Sequence, residues 1–369
     1  MSDKVRVGIV GTGAISNAYL GMAKHFPILE VVAVADLFRE AATKRAAEHG
    51  ISRVLGVDEL IADPNVDLVL NLTVPKAHAP VAIQALKAGK HTYCEKPFGV
   101  NVAEGRQVLD LMYEKKLRVG CAPDTFMGAG VQTARKVIDD GIIGRPVSFT
   151  AFMMGRGHES WHPNPEFYYE VGGGPMFDMG PYYLTALLQL MGPFKTLSGM
   201  ASIAIPDRTI TSQPKHGKKI KVETPDHVTG LIEFANGAIG TIIQSFAIMH
   251  AAYDGEFPIT IYGTNGALKV PDPNGFDGRV LVRTTDDKDW REVPHAFLTG
   301  YGRMVGVADM CHAMKTGRPH RASAEQAFNV LEAMAGLVDS GGNVRTLTPT
   351  VKYDRPPLMP IGLPFGVLD

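Results

Sequence analysis

Three stretches of this sequence carry residue types that can do chemistry together. The first is Gly11-Thr12-Gly13-Ala14-Ile15-Ser16, which follows the apolar run Val5 to Val10, with Asp36 closing a second run twenty residues beyond Ser16. Glycine at 11 permits a tight turn, and glycine at 13 lets the backbone approach a pyrophosphate at the positive end of the next helix. Ser16 stands where a third glycine or alanine often sits and is still small enough for close helix-sheet packing. Asp36 is placed to accept hydrogen bonds from adenosine ribose hydroxyls, and its charge would repel a 2'-phosphate. The expected ligand is therefore a nicotinamide dinucleotide, NAD before NADP, with Arg39 close enough to leave NADP open. The bland alternative is a glycine turn in an empty strand-helix-strand unit, and the acid ending the second strand argues against it.

The second stretch, Cys94-Glu95-Lys96-Pro97, follows a short strand, which puts Lys96 at the carboxyl edge of a parallel sheet, where ligands bind in open α/β folds. A lysine held by the turn can hydrogen-bond a reacting hydroxyl and favour the alkoxide that develops as hydride leaves. Read blandly, it is a solvated surface lysine. The third stretch is Gly172-Gly173-Gly174-Pro175-Met176-Phe177-Asp178-Met179-Gly180-Pro181-Tyr182-Tyr183, running into a helical pattern from Leu184 to Met191. Asp178 and Tyr182 are four apart and share one face if they lie on a helical turn. A tyrosine passes a substrate proton only if a nearby cation lowers its pKa, and Lys96 is a candidate for that cation. Alternatively Asp178 caps the helix and Tyr182 is a core aromatic.

Trp161, His162, Tyr168 and Tyr169 precede the glycine run, and rings with polar edges suit the faces and hydroxyls of a sugar. Each can equally be lid packing. His158 and His162 are also spaced i, i+4, but no third ligand stands at motif spacing, so no metal is expected.

These groups need elements to hold them. From residue 5 to 121, apolar β-branched runs at Val5 to Val10, Val31 to Ala35, Leu68 to Leu72 and His91 to Cys94 alternate with amphipathic helical patterns, including 77–88, followed by Gly89, and 103–115. That alternation predicts a doubly wound parallel sheet covered on both faces. After Cys121 the pattern changes to a helix at 129–140, a strand at 146–154 and a long polar, aromatic loop. Alternating segments between 195 and 294, such as Val228 to Phe234 and Ala238 to Gln244 joined by Ala235-Asn236-Gly237, predict a largely antiparallel sheet. Helices at 302–316 and 323–339 and a proline-rich tail follow. The expected division is a dinucleotide-binding domain at 1–122 and an α+β substrate and oligomerisation domain at 123–369.

Composition narrows the class further. At 369 residues the chain exceeds one ordinary domain, and 45% hydrophobic with 20% charged residues fits a globular protein. The 37 basic and 38 acidic side chains leave a net charge of -1, which argues against a nucleic-acid groove or a polybasic membrane surface. Three cysteines, Cys94, Cys121 and Cys311, without Cys-x-x-Cys spacing support neither a disulfide framework nor a zinc ribbon. With no signal-peptide pattern and no 18-residue apolar run, a cytoplasmic location is expected.

Taken in order, the Gly11-x-Gly13 start, Glu95-Lys96-Pro97 and the Gly173-Gly174 to Asp178-x-Gly180 segment resemble the Gfo/Idh/MocA family of sugar and cyclitol dehydrogenases, over roughly residues 4 to 345. The resemblance implies a Rossmann domain followed by an α/β domain with an open, mostly antiparallel sheet, the substrate lying between them. It implies Lys96 as catalytic lysine, Asp178 as a substrate-binding or orienting acid, and Tyr182 as the proton-transfer residue. Many members have histidine at the position of Tyr182 and aspartate three further on, where this chain has Thr185; it is similar in this to the glucose-fructose oxidoreductase branch. Asn71-Leu72-Thr73-Val74-Pro75 with His78 resembles the family's segment beside the nicotinamide, making Thr73 and Pro75 cofactor neighbours, with His78 either one more or a helix-start side chain; Glu95 and Lys96 are implied cofactor neighbours as well. The implied reaction moves a hydride between NAD(P) and a hydroxyl-bearing carbon of a polyhydroxylated small molecule. Two other readings stay open: tightly bound NAD recycled internally for glycoside cleavage or coupled oxidation and reduction, and a non-catalytic NAD-binding regulator. An uncovered sheet face also predicts a homodimer or homotetramer built through the 195–294 sheet.

Overall fold

The structure, a computed structural model, describes residues 4–346 and 351–369. Strand β1 (Val5–Val10) leads into helix α1 (Ala14–Ala23), followed by β2 (Leu29–Ala35), α2 (Arg39–His49), β3 (Val54–Leu55), α3 (Val57–Ala62), β4 (Leu68–Asn71), α4 (Pro75–Lys87), β5 (His91–Cys94), α5 (Val102–Lys115) and β6 (Val119–Cys121). The six strands form one parallel sheet in the order β3-β2-β1-β4-β5-β6. Val7 and Ile9 of β1 and Leu68, Val69 and Leu70 of β4 are all buried, which is why these strands read as continuous apolar runs rather than alternating ones. Helix α4 begins two residues earlier than its apolar pattern because Pro75, which lacks an N–H, is well suited to a first helical turn. Strand order reverses between β1 and β4, and in such sheets the ligand crevice opens outside the carboxyl ends of the strands at that switch.

The next elements are α6 (Ala129–Asp139), β7 (Pro146–Met154), α7 (Gly174–Asp178), α8 (Gly180–Met191), β8 (Phe194–Ser202), β9 (Asp207–Thr209), β10 (Lys219–Lys221), β11 (His227–Phe234), β12 (Ile239–Ser245), β13 (Ile259–Gly263), β14 (Gly266–Val270), β15 (Val280–Thr284) and β16 (Arg291–Val293). Then come α9 (Val305–Thr316), α10 (Ala324–Asp339) and β17 (Arg345–Thr346). Among the described residues the larger sheet has nine strands, in the order β16-β15-β14-β13-β7-β12-β11-β8-β17. Every neighbouring pair in it is antiparallel except β7 with β12, so the sheet is mixed but mostly antiparallel, as expected. The β11-β12 hairpin closes through Ala235-Asn236-Gly237, with Gly237 at φ +86 and Phe234 N–H donating to Ala238 O at 2.9 Å. Along β11, Val228, Gly230, Ile232 and Phe234 point inward. A Cβ on Gly199 or Gly230 would collide with Leu337, so α10 lies directly on the strand backbones. The opposite face leaves Met200, Leu231 and Ile239 exposed.

The chain divides into two compact units in a way that a single cut near 122 does not capture. The unit holding the parallel sheet comprises residues 4–128, 297–328 and 356–369, and the other comprises 129–296, 329–346 and 351–355. Within the first unit, Cys121 N–H donates to Ala322 O at 3.1 Å, and Asp124 accepts from Gly306 N–H at 3.0 Å. The proline-rich tail has no helix or strand at 351–369, yet it is anchored. Phe365 stacks on Tyr301 with centroids 4.6 Å apart, and Asp369 pairs with Arg318 at 2.6 Å. Amphipathic periodicity marks α9 as having an apolar face but does not say which sheet it covers. Among the described residues no helix is long and apolar enough to cross a membrane.

Candidate functional site

In the first unit, strand register decides which residues share the carboxyl edge. Val10 pairs with Ala35 on one side and Asn71 on the other, and Asn71 pairs with Cys94. The segments that follow these four residues therefore leave the sheet side by side, carrying Gly11 to Ile15, Asp36, Thr73 to His78, and Glu95 with Lys96. Gly11 has φ +96, and a Cβ there would lie 2.6 Å from the Leu72 carbonyl, so only glycine fits between the two loops. Gly13 is different. It has open space around it and is the N-cap of α1, a helix with no side-chain cap and no acid in its first turn. Free N–H groups facing open space are what a pyrophosphate requires. Ser16, fully buried, bonds back to Gly13 O at 2.7 Å, which explains how serine replaces a third glycine here.

Asp36 ties the glycine loop to the second strand. Its Oδ2 accepts from Thr12 N–H at 2.7 Å and from the Thr12 hydroxyl at 2.9 Å, and Oδ1 accepts from Phe38 N–H at 3.0 Å. An ionised carboxylate can accept about four hydrogen bonds, so capacity remains for ribose hydroxyls. Arg39 bonds Val54 O at 3.3 Å. These residues fit a dinucleotide. Gly11→Ala should lower stability by between about 1 and 3 kcal/mol in urea unfolding, through left-handed strain and backbone collision. Gly13→Ala should unfold like the wild type yet weaken NADH binding at least about tenfold, because the new methyl would enter the open space expected to take a pyrophosphate. A Gly13→Ala protein that binds NADH normally would remove the loop from the cofactor site.

The Lys96 turn is braced from beneath. Glu95 is buried; its carboxylate accepts from the Tyr19 hydroxyl at 2.8 Å and from Lys96 N–H at 2.9 Å. Burial, and then the Glu95 charge, push the Tyr19 phenol well above its usual pKa, so it remains a donor. His78 lies between the two loops, with Nδ1 2.8 Å from Pro97 O and Nε2 3.0 Å from Thr73 O; the neutral ring donates to one of these carbonyls and the protonated ring to both. Burial pulls its pKa below the usual imidazole value against the pull of those carbonyls. Asn71, also buried, accepts from the Thr73 hydroxyl at 2.7 Å and donates to His78 O at 2.9 Å. Pro75 starts α4. Lys96 itself is half-buried.

The second unit gathers the other expected site residues. Asp178 ends α7 and Tyr182 lies in the first turn of α8, with Met179 at φ -104 between the helices, so they sit across a break and not on one continuous helix. Asp178 is not a helix cap, since the N-cap of α8 is Met179 without a side-chain bond; its Oδ2 lies 3.6 Å from His158 Nε2. Thr185 is buried within α8. In the loop after β7, His158 stacks on Tyr168 at 3.9 Å, Trp161 is 61% exposed, and His162 Nδ1 accepts from Asn164 N–H at 3.1 Å.

Tyr169 corrects the sequence reading, because its ring is fully buried and does not face an open surface. Its hydroxyl donates to Glu159 and accepts from His158 N–H, and Arg208 lies over its ring at 4.8 Å. Arg208 is the residue that sequence reasoning missed. It is almost completely buried and bonds Glu159 at 2.9 Å, Asp226 at 2.8 Å, Arg156 O at 2.9 Å and Phe246 O at 2.8 Å. Nothing in the local pattern around Arg208 or Asp226 signals this. The same is true of Tyr19. Among the described residues no group of three histidine, cysteine or acidic side chains could hold a metal ion.

Residues 5–122 match the family described as Oxidoreductase family, NAD-binding Rossmann fold, and residues 131–269 match the GFO/IDH/MocA C-terminal domain. The levoglucosan dehydrogenase of Pseudarthrobacter phenanthrenivorans is 28% identical over 294 residues, covering 72% of this chain and 73% of that protein. The inositol 2-dehydrogenase/D-chiro-inositol 3-dehydrogenase of Lactiplantibacillus plantarum is 34% identical over 274 residues, covering 72% of this chain and 71% of that protein. A solved structure of levoglucosan dehydrogenase in complex with NADH and levoglucosan matches with a TM-score of 0.79 at 24% identity, covering 94% of this chain and 100% of that chain. At that identity the last likeness bears on the fold.

Proposed function

Because the chain belongs to the Gfo/Idh/MocA family, with that family's NAD-binding Rossmann domain at its N-terminus, we propose that it oxidises or reduces a hydroxyl-bearing carbon of a sugar, cyclitol or related polyol. When bound, the nicotinamide supplies the acceptor or donor of hydride. The observation that carries the reading is the row of loops at one sheet edge, with the Gly11 to Gly13 turn, Thr73 and Lys96 following register-matched residues at the topological switch. Gly11 to Ile15 hold the pyrophosphate, Asp36 the adenosine ribose, and Thr73 and Pro75 the nicotinamide end. Glu95 and His78 act from behind, setting the Lys96 turn. Lys96 donates to the reacting oxygen, Tyr182 exchanges the hydroxyl proton, and Asp178 orients the reacting hydroxyl. Trp161 and His162 contact the substrate, while Tyr169 supports their loop.

The relatives named for acting on levoglucosan and inositol support a polyhydroxylated ring as substrate. Asp36 makes NAD the preferred cofactor. The outward Met200, Leu231 and Ile239 favour a homodimer or homotetramer joined through the larger sheet, and a monomer by light scattering at micromolar concentration would overturn that part. Three buried free thiols, Cys94, Cys121 and Cys311, suit the reducing cytoplasm. The test is a fluorescence titration with NADH and NADPH, then a panel of levoglucosan, inositol, glucose and simple vicinal diols followed at the reduced-cofactor absorbance. NADH should bind at least about tenfold more tightly than NADPH, and at least one ring polyol should reduce NAD. Products formed without added cofactor would favour internal recycling, and inactivity across the panel would favour a regulator.

A further inference from the structure

Asp178 is the last residue of α7, separated from the first residue of α8 by Met179 alone. The direction of a short carboxylate at a helix end depends on the groups it pairs with. The side chain facing it in the second unit is His158. That imidazole is gripped on several sides: it is stacked on Tyr168 at 3.9 Å and 19°, edge-on to Phe246 at 4.5 Å, and tilted against Trp161 at 5.2 Å. Its backbone is fixed too, since His158 N–H donates to the Tyr169 hydroxyl at 3.0 Å, while Trp161 and His162 N–H both return to His158 O. With the ring so held, Nε2 is directed at Asp178 Oδ2, 3.6 Å away, and both side chains are only slightly exposed, 13% and 15%.

The geometry points to His158 as a positioning residue for the proposed reaction, acting through Asp178. Protonated, the imidazole makes a charge-assisted contact that turns the Asp178 carboxylate one way. Neutral, it offers at most an ordinary N–H, and the carboxylate is held less firmly. Imidazole is the side chain that changes charge nearest neutrality, so the orientation of Asp178 becomes pH-dependent in the working range. Among the described residues, the charged and titratable groups near His158 include Glu159, Tyr168, Tyr169, His162 and Arg208. Glu159 is bonded to Tyr169 and Arg208, and Arg208 also to Asp226, so their interactions run away from the His158–Asp178 contact.

This inference rests on the reading of Asp178 as a site residue, and two measurements separate them. In the full chain labelled at histidine carbon, the resonance assigned to His158 by its loss in His158→Gln should titrate, and its midpoint should fall by about half a unit or more in Asp178→Asn. An unchanged midpoint would overturn the coupling whether or not any substrate is found. On a panel substrate that is turned over, His158→Gln should lose the near-neutral limb of the kcat/KM profile and fall about ten- to a hundredfold at neutral pH, with NADH binding unchanged. Persistence of that limb would overturn the positioning role. Inactivity of the wild type across the panel would instead count against the proposed reaction and leave the resonance titration to decide the coupling.

Discussion

A protein with Lys96→Met should bind NADH within about threefold of the wild type and turn over at least about 10³-fold more slowly, a loss near 4 kcal/mol in the barrier. The asymmetry follows from where the interactions are. The Gly11 to Gly13 loop and Asp36, proposed to hold the cofactor's phosphate and ribose, are fixed by Thr12, Ala35 and Leu72 through bonds that do not involve the Lys96 side chain. The turn itself should persist, because its bond from residue 96 to the Glu95 carboxylate uses the backbone N–H, and methionine retains it. What is lost is the ammonium group that, on the proposed mechanism, donates to the developing alkoxide. A single preorganised donor of that kind is worth about 10² to 10³ in rate. Stopped-flow turnover beside a fluorescence titration separates the two effects. Turnover within tenfold of the wild type would leave Lys96 as a surface lysine and would end the proposed mechanism.

Arg208→Met is expected to cost the second unit about 3 to 5 kcal/mol in urea unfolding. Burial alone would discourage a charge there, but the bonds to Asp226 and Glu159 outweigh it and raise the guanidinium's pKa. Methionine fills similar space and removes the charge, leaving Asp226, fully buried, with the Ala204 and Ile205 N–H groups among the described residues to hold it. An uncompensated buried carboxylate is the costly part, since replacing both members of such a pair is often close to neutral. Arg208→Met with Asp226→Asn should therefore recover a substantial share of the loss. The single change should also loosen Glu159 and the neighbouring His158 turn, so turnover should fall even where the protein remains folded. A loss below about 1 kcal/mol would show that the cluster is dispensable.

Local elements and the cofactor edge were legible from residue order. Strands Val5–Val10, His91–Cys94 and Pro146–Met154 begin and end where their apolar patterns do, because burial on a strand face acts on neighbouring side chains and leaves a trace within a few residues. The Gly11 turn was legible for a similar reason: a positive φ between two close loops admits only glycine. Partner choice was not. The Tyr19–Glu95 bond spans 76 residues and the Arg208–Glu159 bond spans 49, and nothing in the sequence pairs these side chains. Tyr169 illustrates the limit, as its aromatic type suited a sugar-facing loop and its burial places it in the core.

By itself, then, the order of residues determined the two kinds of sheet and the dinucleotide turn, and it singled out Lys96, Asp178 and Tyr182 as the groups the proposed mechanism uses. Only tertiary structure decided that 297–328 and the tail return to the first unit, that Glu95, Asn71 and His78 form the brace behind the Lys96 turn, and that His158 faces Asp178. The reason is physical. Periodicity records that a face will be buried, whereas the partner that buries it, and the carboxylate that meets a buried cation, are set by packing among residues far apart in the chain.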